Sequence, residues 1–320
     1  MFYSLFICPI CQSPLQPATN MWRCNGRLHP KQTIHTFDVA RQGYVNLLPV
    51  QQKKSKSPGD SLQSIKARQR FLAAGYYQPL QVFIVEQMQK LLAFRDGNTH
   101  IVNDDNEGGT NWLDIGCGEG YYTQAMVDTG MDNLIAADIS KPALVELARV
   151  SKAANRLWFQ QDNNDKESTS RRAIIYPLVT SAAHLPLSLN SLTGISSIFS
   201  PILPEIFAKI LQDDGYLIIA KPDIGHLASV REALFDEVRE HDSDKFLPTL
   251  TPYFKLLSTH HIATGLRLSV ESLADLLTMT PYAYRAHSEK RQALLAMTES
   301  APFITKAKFV VYVLQKTSAK

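Results

Sequence analysis

Apolar residues recur at two different spacings along this chain, and the change from one to the other divides it. Between residues 61 and 94, Ile65, Phe71, Leu72, Leu80, Phe83, Ile84, Met88, Leu91 and Leu92 return at roughly helical intervals. Pro79 interrupts the stripe and is expected to break or kink the helix, because its ring removes a donor and crowds the preceding turn. From residue 111 onward, short apolar runs alternate with helical stretches. Strands are expected at 111–115, 134–138, 174–180, 194–199 and 216–220, and helices at 121–129, 142–154, 204–211 and 227–240. A β-α-β-α series predicts a parallel sheet covered by helices on both faces. A last run at 308–315 reads as a strand, antiparallel at the edge. The stretch 95–111, rich in Asn, Asp and Gly, reads as a loop, and the polar stretch 160–172 as a surface insertion. Residues 1–50 are turn-rich, with clustered Cys and His. The expected division is therefore an N-terminal module (1–50), a basic linker with a helical segment (51–94) and an α/β domain (95–320).

Composition narrows the class. A chain of 320 residues with 45% hydrophobic side chains can bury a large core, which excludes a disordered chain. No apolar run reaches the roughly 20 residues of a membrane span. The N-terminus lacks the basic stretch of a signal peptide, so the expected compartment is the cytoplasm. The net charge of +3 hides an asymmetry: residues 1–80 carry ten Lys and Arg against two Asp and Glu, and the other 240 carry 23 against 28. A basic quarter on a mildly acidic body points to a polyanionic partner, although a merely solvated basic face has the same composition.

The sharpest motif is Leu113-Asp114-Ile115-Gly116-Cys117-Gly118-Glu119-Gly120, an apolar strand ending in three alternate glycines before a helix. Such a loop at the carboxyl end of a parallel strand binds ligands in open α/β sheets. Nicotinamide cofactors favour G-x-G-x-x-G over a pyrophosphate. This loop is G-x-G-x-G and carries Asp114 and Glu119, which disfavour an anion and favour a cationic sulfonium with an amino group. It resembles the D-x-G-x-G signature of class I (Rossmann-like) methyltransferases, which implies S-adenosylmethionine as cofactor. Asp138 closes the next strand, placed to accept from both ribose hydroxyls. Candidate cofactor residues are thus Asp114, Gly116, Gly118, Glu119 and Asp138. Cys117, inside the loop, reads as a small buried residue rather than a nucleophile.

Cys8-Pro9-Ile10-Cys11 is C-x2-C, and Cys24 follows with His29 and His35. In a chain without a secretion signal, three clustered cysteines favour metal over disulfide. Three thiolates and one imidazole make a closed tetrahedral zinc site, structural rather than catalytic, and a segment of about 50 residues needs such a staple. Spacing alone favours His29 as fourth ligand and leaves His35 open.

Longer stretches carry a resemblance to a family. They are His35-Thr36-Phe37-Asp38-Val39-Ala40-Arg41-Gln42-Gly43-Tyr44-Val45-Asn46-Leu47-Leu48-Pro49-Val50, Pro58-Gly59-Asp60-Ser61, Ala67-Arg68-Gln69-Arg70-Phe71-Leu72, Gly75-Tyr76-Tyr77-Gln78-Pro79-Leu80 and Leu277-Thr278-Met279-Thr280-Pro281-Tyr282-Ala283-Tyr284-Arg285-Ala286. Over nearly its whole length the chain resembles the 23S rRNA guanine-N1-methyltransferases of the RlmA type. The resemblance implies His35 as the zinc histidine beside Cys8, Cys11 and Cys24. It implies cofactor contacts from Tyr77, Gly118, Glu119 and His226. It implies 23S rRNA as partner, with a 745-type hairpin guanine as the site. The chain departs from the family at Phe199-Ser200-Pro201 and at Asp214-Gly215.

Guanine N1 lies on the Watson–Crick edge, so the base must be unpaired or flipped out, as a hairpin loop allows. Lys53, Lys54, Lys56, Arg68 and Arg70, with the zinc module, are the expected holders of RNA phosphates, and Phe199-Ser200-Pro201 the expected wall of the base pocket. A homodimer would give a bulky RNA a composite cleft. No general base is named; His184 reads as a packing or cofactor-wall residue. Two other functions share parts of the pattern. A small-molecule methyltransferase has no need of a zinc module or a basic quarter, and a non-catalytic RNA-binding assembly factor would not bind S-adenosylmethionine.

Overall fold

The structure is a computed structural model that describes residues 4–53, 55, 58–98, 109–161, 172–237 and 244–317. Most of the stretches expected as a loop at 95–111 and an insertion at 160–172, and the end of the helix expected at 227–240, lie outside the described residues, as do Lys54 and Lys56. Among the described residues no helix is long and apolar enough to cross a membrane.

Four short strands form an antiparallel sheet in sequence order: β1 (Phe6–Ile7), β2 (Pro14–Gln16), β3 (Met21–Cys24) and β4 (Thr36–Asp38). After β5 (Val45–Asn46) come two helices, α1 (Leu62–Ala73) and α2 (Gln78–Asn98). The break between them is not at Pro79, as the sequence suggested, but at Gly75. There φ is +83°, a conformation open to glycine without a Cβ penalty. Pro79 instead lies in the first turn of α2, where its missing N–H has no helical partner to lose.

The α/β series follows: β6 (Asn111–Ile115), α3 (Tyr121–Met126), β7 (Asn133–Asp138), α4 (Lys141–Gln161), β8 (Ile174–Val179), β9 (Leu192–Ile198), α5 (Pro204–Ile210), β10 (Leu211–Pro222), α6 (Ala228–Leu234), α7 (Leu247–Leu250), β11 (Phe254–Leu268), α8 (Val270–Met279), α9 (Tyr282–Arg285), α10 (Ser288–Ser300) and β12 (Phe303–Lys316). The eight-stranded sheet runs β11-β12-β10-β9-β6-β7-β8-β5. Counted from β6, its first five strands are parallel in the order 3-2-1-4-5 of a doubly wound fold, with the switch point between β6 and β9. β12 inserts antiparallel between β10 and β11. The late strand is thus antiparallel as expected but not at the edge, because β11, which the apolar pattern did not mark, lies outside it. This is the Rossmann-like class I methyltransferase fold.

β6 and β9 are buried along their whole length, as a central parallel strand covered on both faces requires. One face of the sheet packs against α1, α2, α4 and α8, and the other against α5 and the N-terminal module. That module is joined to the sheet edge rather than tethered beside it. Phe6, Trp22 and Tyr176 of β8 stack with ring centroids 4.7, 5.3 and 6.1 Å apart. Phe6 also forms a bridge with Leu187. Val45 and Asn46 pair with Leu178 and Val179, which makes β5 the last strand of the large sheet.

Candidate functional site

Two sites can be built from the residues upward. The first lies where the turn after β1, the end of β3 and the residue before β4 meet. The ligand atoms of Cys8, Cys11, Cys24 and His35 all lie within 4.8 Å of one another, and the three cysteines are buried. Cys11 Sγ is 3.8 Å from Cys24 Sγ, and His35 Nδ1 is 3.6 Å from both Cys8 Sγ and Cys24 Sγ. Zinc at about 2.3 Å from sulfur and about 2.0–2.1 Å from nitrogen in a tetrahedron sets its donors about 3.8 and about 3.6 Å apart. The donor set therefore fits zinc, and with four protein ligands it has no open coordination position. Burial pushes the Cys8 thiol up to about 12, a cost that a bound dication offsets by replacing protons. The His35 amide donates to Cys24 Sγ at 3.1 Å, as an amide beside a thiolate ligand would. His29, favoured by spacing alone, is outside the cluster. Its Nδ1 accepts from the amides of Lys31 and Thr33, both at 3.3 Å, so its ring closes the turn between Cys24 and His35.

The second site is built at the carboxyl ends of β6, β7, β9 and β10. Gly116, at φ +71°, turns the chain out of β6, and a Cβ there would lie 2.4 Å from Ser200 Cβ. Only glycine fits that crossing of two loops. Asp138 sits at the end of β7, where its two oxygens accept from the amides of Gly118 (2.9 Å) and Ser140 (2.7 Å). Burial raises its carboxyl and that of Glu119, against which these amides and Arg68 respectively act. Tyr77, at the entry to α2, is buried against Phe309 at 4.7 Å, with Phe199 and His226 at 6.4 and 6.3 Å. His226 Nδ1 lies 2.6 Å from the Lys308 carbonyl, and burial lowers its pKa to about 4. Burial raises the Tyr77 hydroxyl, so at neutral pH both rings are uncharged.

Asp114, near the end of β6, is buried. It is 1% exposed and lies behind the loop, accepting from Thr123 Oγ1 at 2.6 Å and Ser196 Oγ at 3.0 Å. It ties β6 to α3 and β9. Cys117 is buried, and burial pushes its thiol well up, which agrees with a packing role. His184 is exposed on a short 3-10 turn. The chemistry of the remaining donors suits S-adenosylmethionine. Two buried carboxylates, Asp138 and Glu119, and a glycine backbone are the groups gathered at these strand ends.

The expected phosphate-holding residues divide. Lys53 is exposed. Arg70 pairs with Asp275 on α8, with Nε to Oδ2 at 2.9 Å, but its side chain stays 64% exposed. Arg68 differs from both, since its guanidinium already has Asp60 and Glu119 as partners.

Residues 6–56 match the family model described as RlmA, N-terminal, a zinc ribbon. The chain carries the RlmA-type zinc ribbon. Its resemblance to RlmA-type methyltransferases extends well beyond that ribbon. The chain is 29% identical over 280 residues, 87% of its length and 85% of the relative's, to a Streptomyces fradiae protein named 23S rRNA (guanine(748)-N(1))-methyltransferase. It is 27% identical over 305 residues, 93% of each chain, to a Bacillus subtilis protein provisionally named a 23S rRNA (guanine-N(1)-)-methyltransferase. Among solved structures, a Bacillus halodurans protein provisionally described as a methyltransferase superposes with a TM-score of 0.42 and 12% identity, over 73% of this chain and all of that one.

Proposed function

We propose that this protein transfers a methyl group from S-adenosylmethionine to N1 of a guanine in a hairpin loop of 23S rRNA. The observation that carries the reading is one arrangement: a three-glycine loop and Asp138 at adjacent strand ends, in a chain that begins with an RlmA-type zinc ribbon.

S-adenosylmethionine supplies a methyl group on a cationic sulfur. In this reading Asp138 accepts from the ribose hydroxyls, and Gly116 and Gly118 admit the ligand to close range of the backbone. Glu119 adds negative charge toward the cationic end, while Asp114 braces the loop from behind. Tyr77 and His226 close the site with uncharged rings, which exclude water without repelling a sulfonium. Phe199, 43% exposed and held by Tyr77, Tyr122 and Phe309, offers an aromatic face to a splayed-out base. Catalysis of this kind rests mainly on holding the two reactants in line.

The zinc ribbon, with Lys53, Lys54, Lys56 and Arg70, holds phosphates on this view, and zinc keeps that surface folded. Functionally the chain divides into the ribbon (1–50), the linker and helical segment (51–94) and the methyltransferase domain (95–320). Its compartment is the cytoplasm, and a homodimer would extend the RNA surface.

The test is to map N1-methylguanine in 23S rRNA from a deletion strain with and without complementation, and to assay purified protein on rRNA hairpin transcripts. Loss and recovery of one N1-methylguanine is expected. An unchanged rRNA with methylation of a small molecule would move the chain to small-molecule methyltransferases. A protein that does not bind S-adenosylmethionine would be an assembly factor.

A further inference from the structure

Arg68 stands apart from its basic neighbours. It rises from α1 with its side chain about three-quarters covered. One end of its guanidinium donates to Asp60, and Nη1 lies 3.5 Å from Glu119 Oε2. A Cβ built on Gly118 would lie 3.5 Å from the same Nη1, so the guanidinium rests directly on the glycine loop. The Asp60 carbonyl in turn accepts from Ser140 Oγ at 3.0 Å, and the Ser140 amide donates to Asp138 at 2.7 Å. The links Glu119–Arg68–Asp60–Ser140–Asp138 thus form a continuous chain that joins the linker turn to Glu119 of the glycine loop and to Asp138 at the end of β7.

We infer that Arg68 is a positioning residue of the cofactor site and not a phosphate ligand. The inference rests on the reading above, in which this loop takes S-adenosylmethionine. Glu119 is only 6% exposed. Without a counter-charge, a carboxylate so buried either takes up a proton or swings out to solvent. In both cases the loop loses negative charge or its fixed orientation. Asp60, no longer held, also releases the turn that packs on Ser140. Truncating Arg68 therefore weakens the cofactor side of the reaction. The guanidinium offers RNA little, because an incoming phosphate would have to displace two carboxylates.

The experiment uses the full-length, zinc-loaded protein with Arg68→Met, Arg68→Lys and the pair Arg68→Met with Glu119→Gln. S-adenosylmethionine affinity is measured by calorimetry, and the salt dependence of binding by titration of a 23S rRNA hairpin transcript. Arg68→Met is expected to weaken cofactor binding at least about tenfold, a loss within reach of one partly buried charge pair, while the salt slope stays that of the wild type. Arg68→Lys keeps the charge without the fork and recovers part of the affinity. The double variant binds no worse than Arg68→Met, because the orphaned carboxylate is gone. A cofactor affinity within about twofold of wild type, or a salt slope lowered by the roughly 0.7–0.9 of one phosphate contact, overturns the inference. If Arg68→Met does not fold, Arg68→Lys decides by the same two readouts. A wild-type protein that fails to bind S-adenosylmethionine would overturn the reading of the loop itself. Wild-type binding left intact in every variant overturns only the role of Arg68.

Discussion

Asp114→Asn separates two roles for the acid before the glycine loop. Asp114 is buried with both oxygens hydrogen-bonded, and burial raises its pKa from 3.8 to about 6, against the opposing hydrogen bonds from Thr123 and Ser196. The folded state therefore holds this proton more tightly than the unfolded chain does. The stability it contributes is fully present below about pH 4 and is lost as pH rises through about 6. A shift of about two units corresponds to roughly 3 kcal/mol. Asparagine is nearly isosteric; one hydroxyl keeps donating to its Oδ1 and the other can rotate to accept from its Nδ2, so the variant keeps the connections without the titration. Relative to wild type, Asp114→Asn should gain about 3 kcal/mol between pH 4 and pH 7. Urea unfolding followed by the fluorescence of buried Trp112 measures that difference at each pH. Zinc loss at low pH affects both proteins and cancels. Stability curves that run parallel from pH 4 to pH 7 would refute the burial argument. At neutral pH the variant should also bind S-adenosylmethionine within about threefold of wild type, because an acid behind the loop contributes no direct ion pair. A loss of tenfold or more would mean that the carboxylate faces the cation after all.

Two further outcomes follow from the site geometry. Mass spectrometry should find one equivalent of zinc on the wild type and none on His35→Ala, whereas His29→Ala keeps it and loses only about 1 kcal/mol of stability with its two amide contacts; retention of zinc by His35→Ala would reverse the assignment. Gly116→Ala meets Ser200 at 2.4 Å and requires a positive φ, so it should weaken cofactor binding at least tenfold and cost about 1–3 kcal/mol in unfolding, and a variant equal to wild type in both would show that the loop has room.

What the sequence made legible was whatever depends on residue type and local spacing. Five of the six parallel strands, all but the two-residue β5, were readable because each is a short apolar run, and the glycine loop because positive φ at alternate positions selects glycine. β11 was not readable. As a long strand beyond β12 it buries little between Phe254 and Leu266, and Lys255, His260 and His261 break the apolar pattern that marks a core strand. Spacing chose the wrong histidine because it measures chain length and not direction. The residues between Cys24 and His35 fold into a turn that His29 closes from inside, which returns His35 to the cluster. Composition also counted Arg68 with the basic face. One partner, Asp60, is eight positions away across the turn that starts α1, and the other, Glu119, is 51 away; residue type and spacing do not reveal that a cation is already spent on both.

The same structure limits what zinc can do. A site closed by four protein ligands has no position for a substrate, so the metal acts through what it holds in place. The ribbon packs Phe6 and Trp22 onto Tyr176, and the chain leaving it becomes β5, paired to β8. It then runs through the linker to Asp60 and Arg68, which rest on the cofactor loop. The metal is thus connected to the loop through a sheet edge and an ion pair and not through any shared ligand. Losing zinc should disturb the basic surface first, where the ribbon alone supplies the fold. It should reach the loop only weakly, because β8 and α1 are each held independently by the core of the methyltransferase domain. On this account RNA binding and cofactor binding are separable properties of one chain.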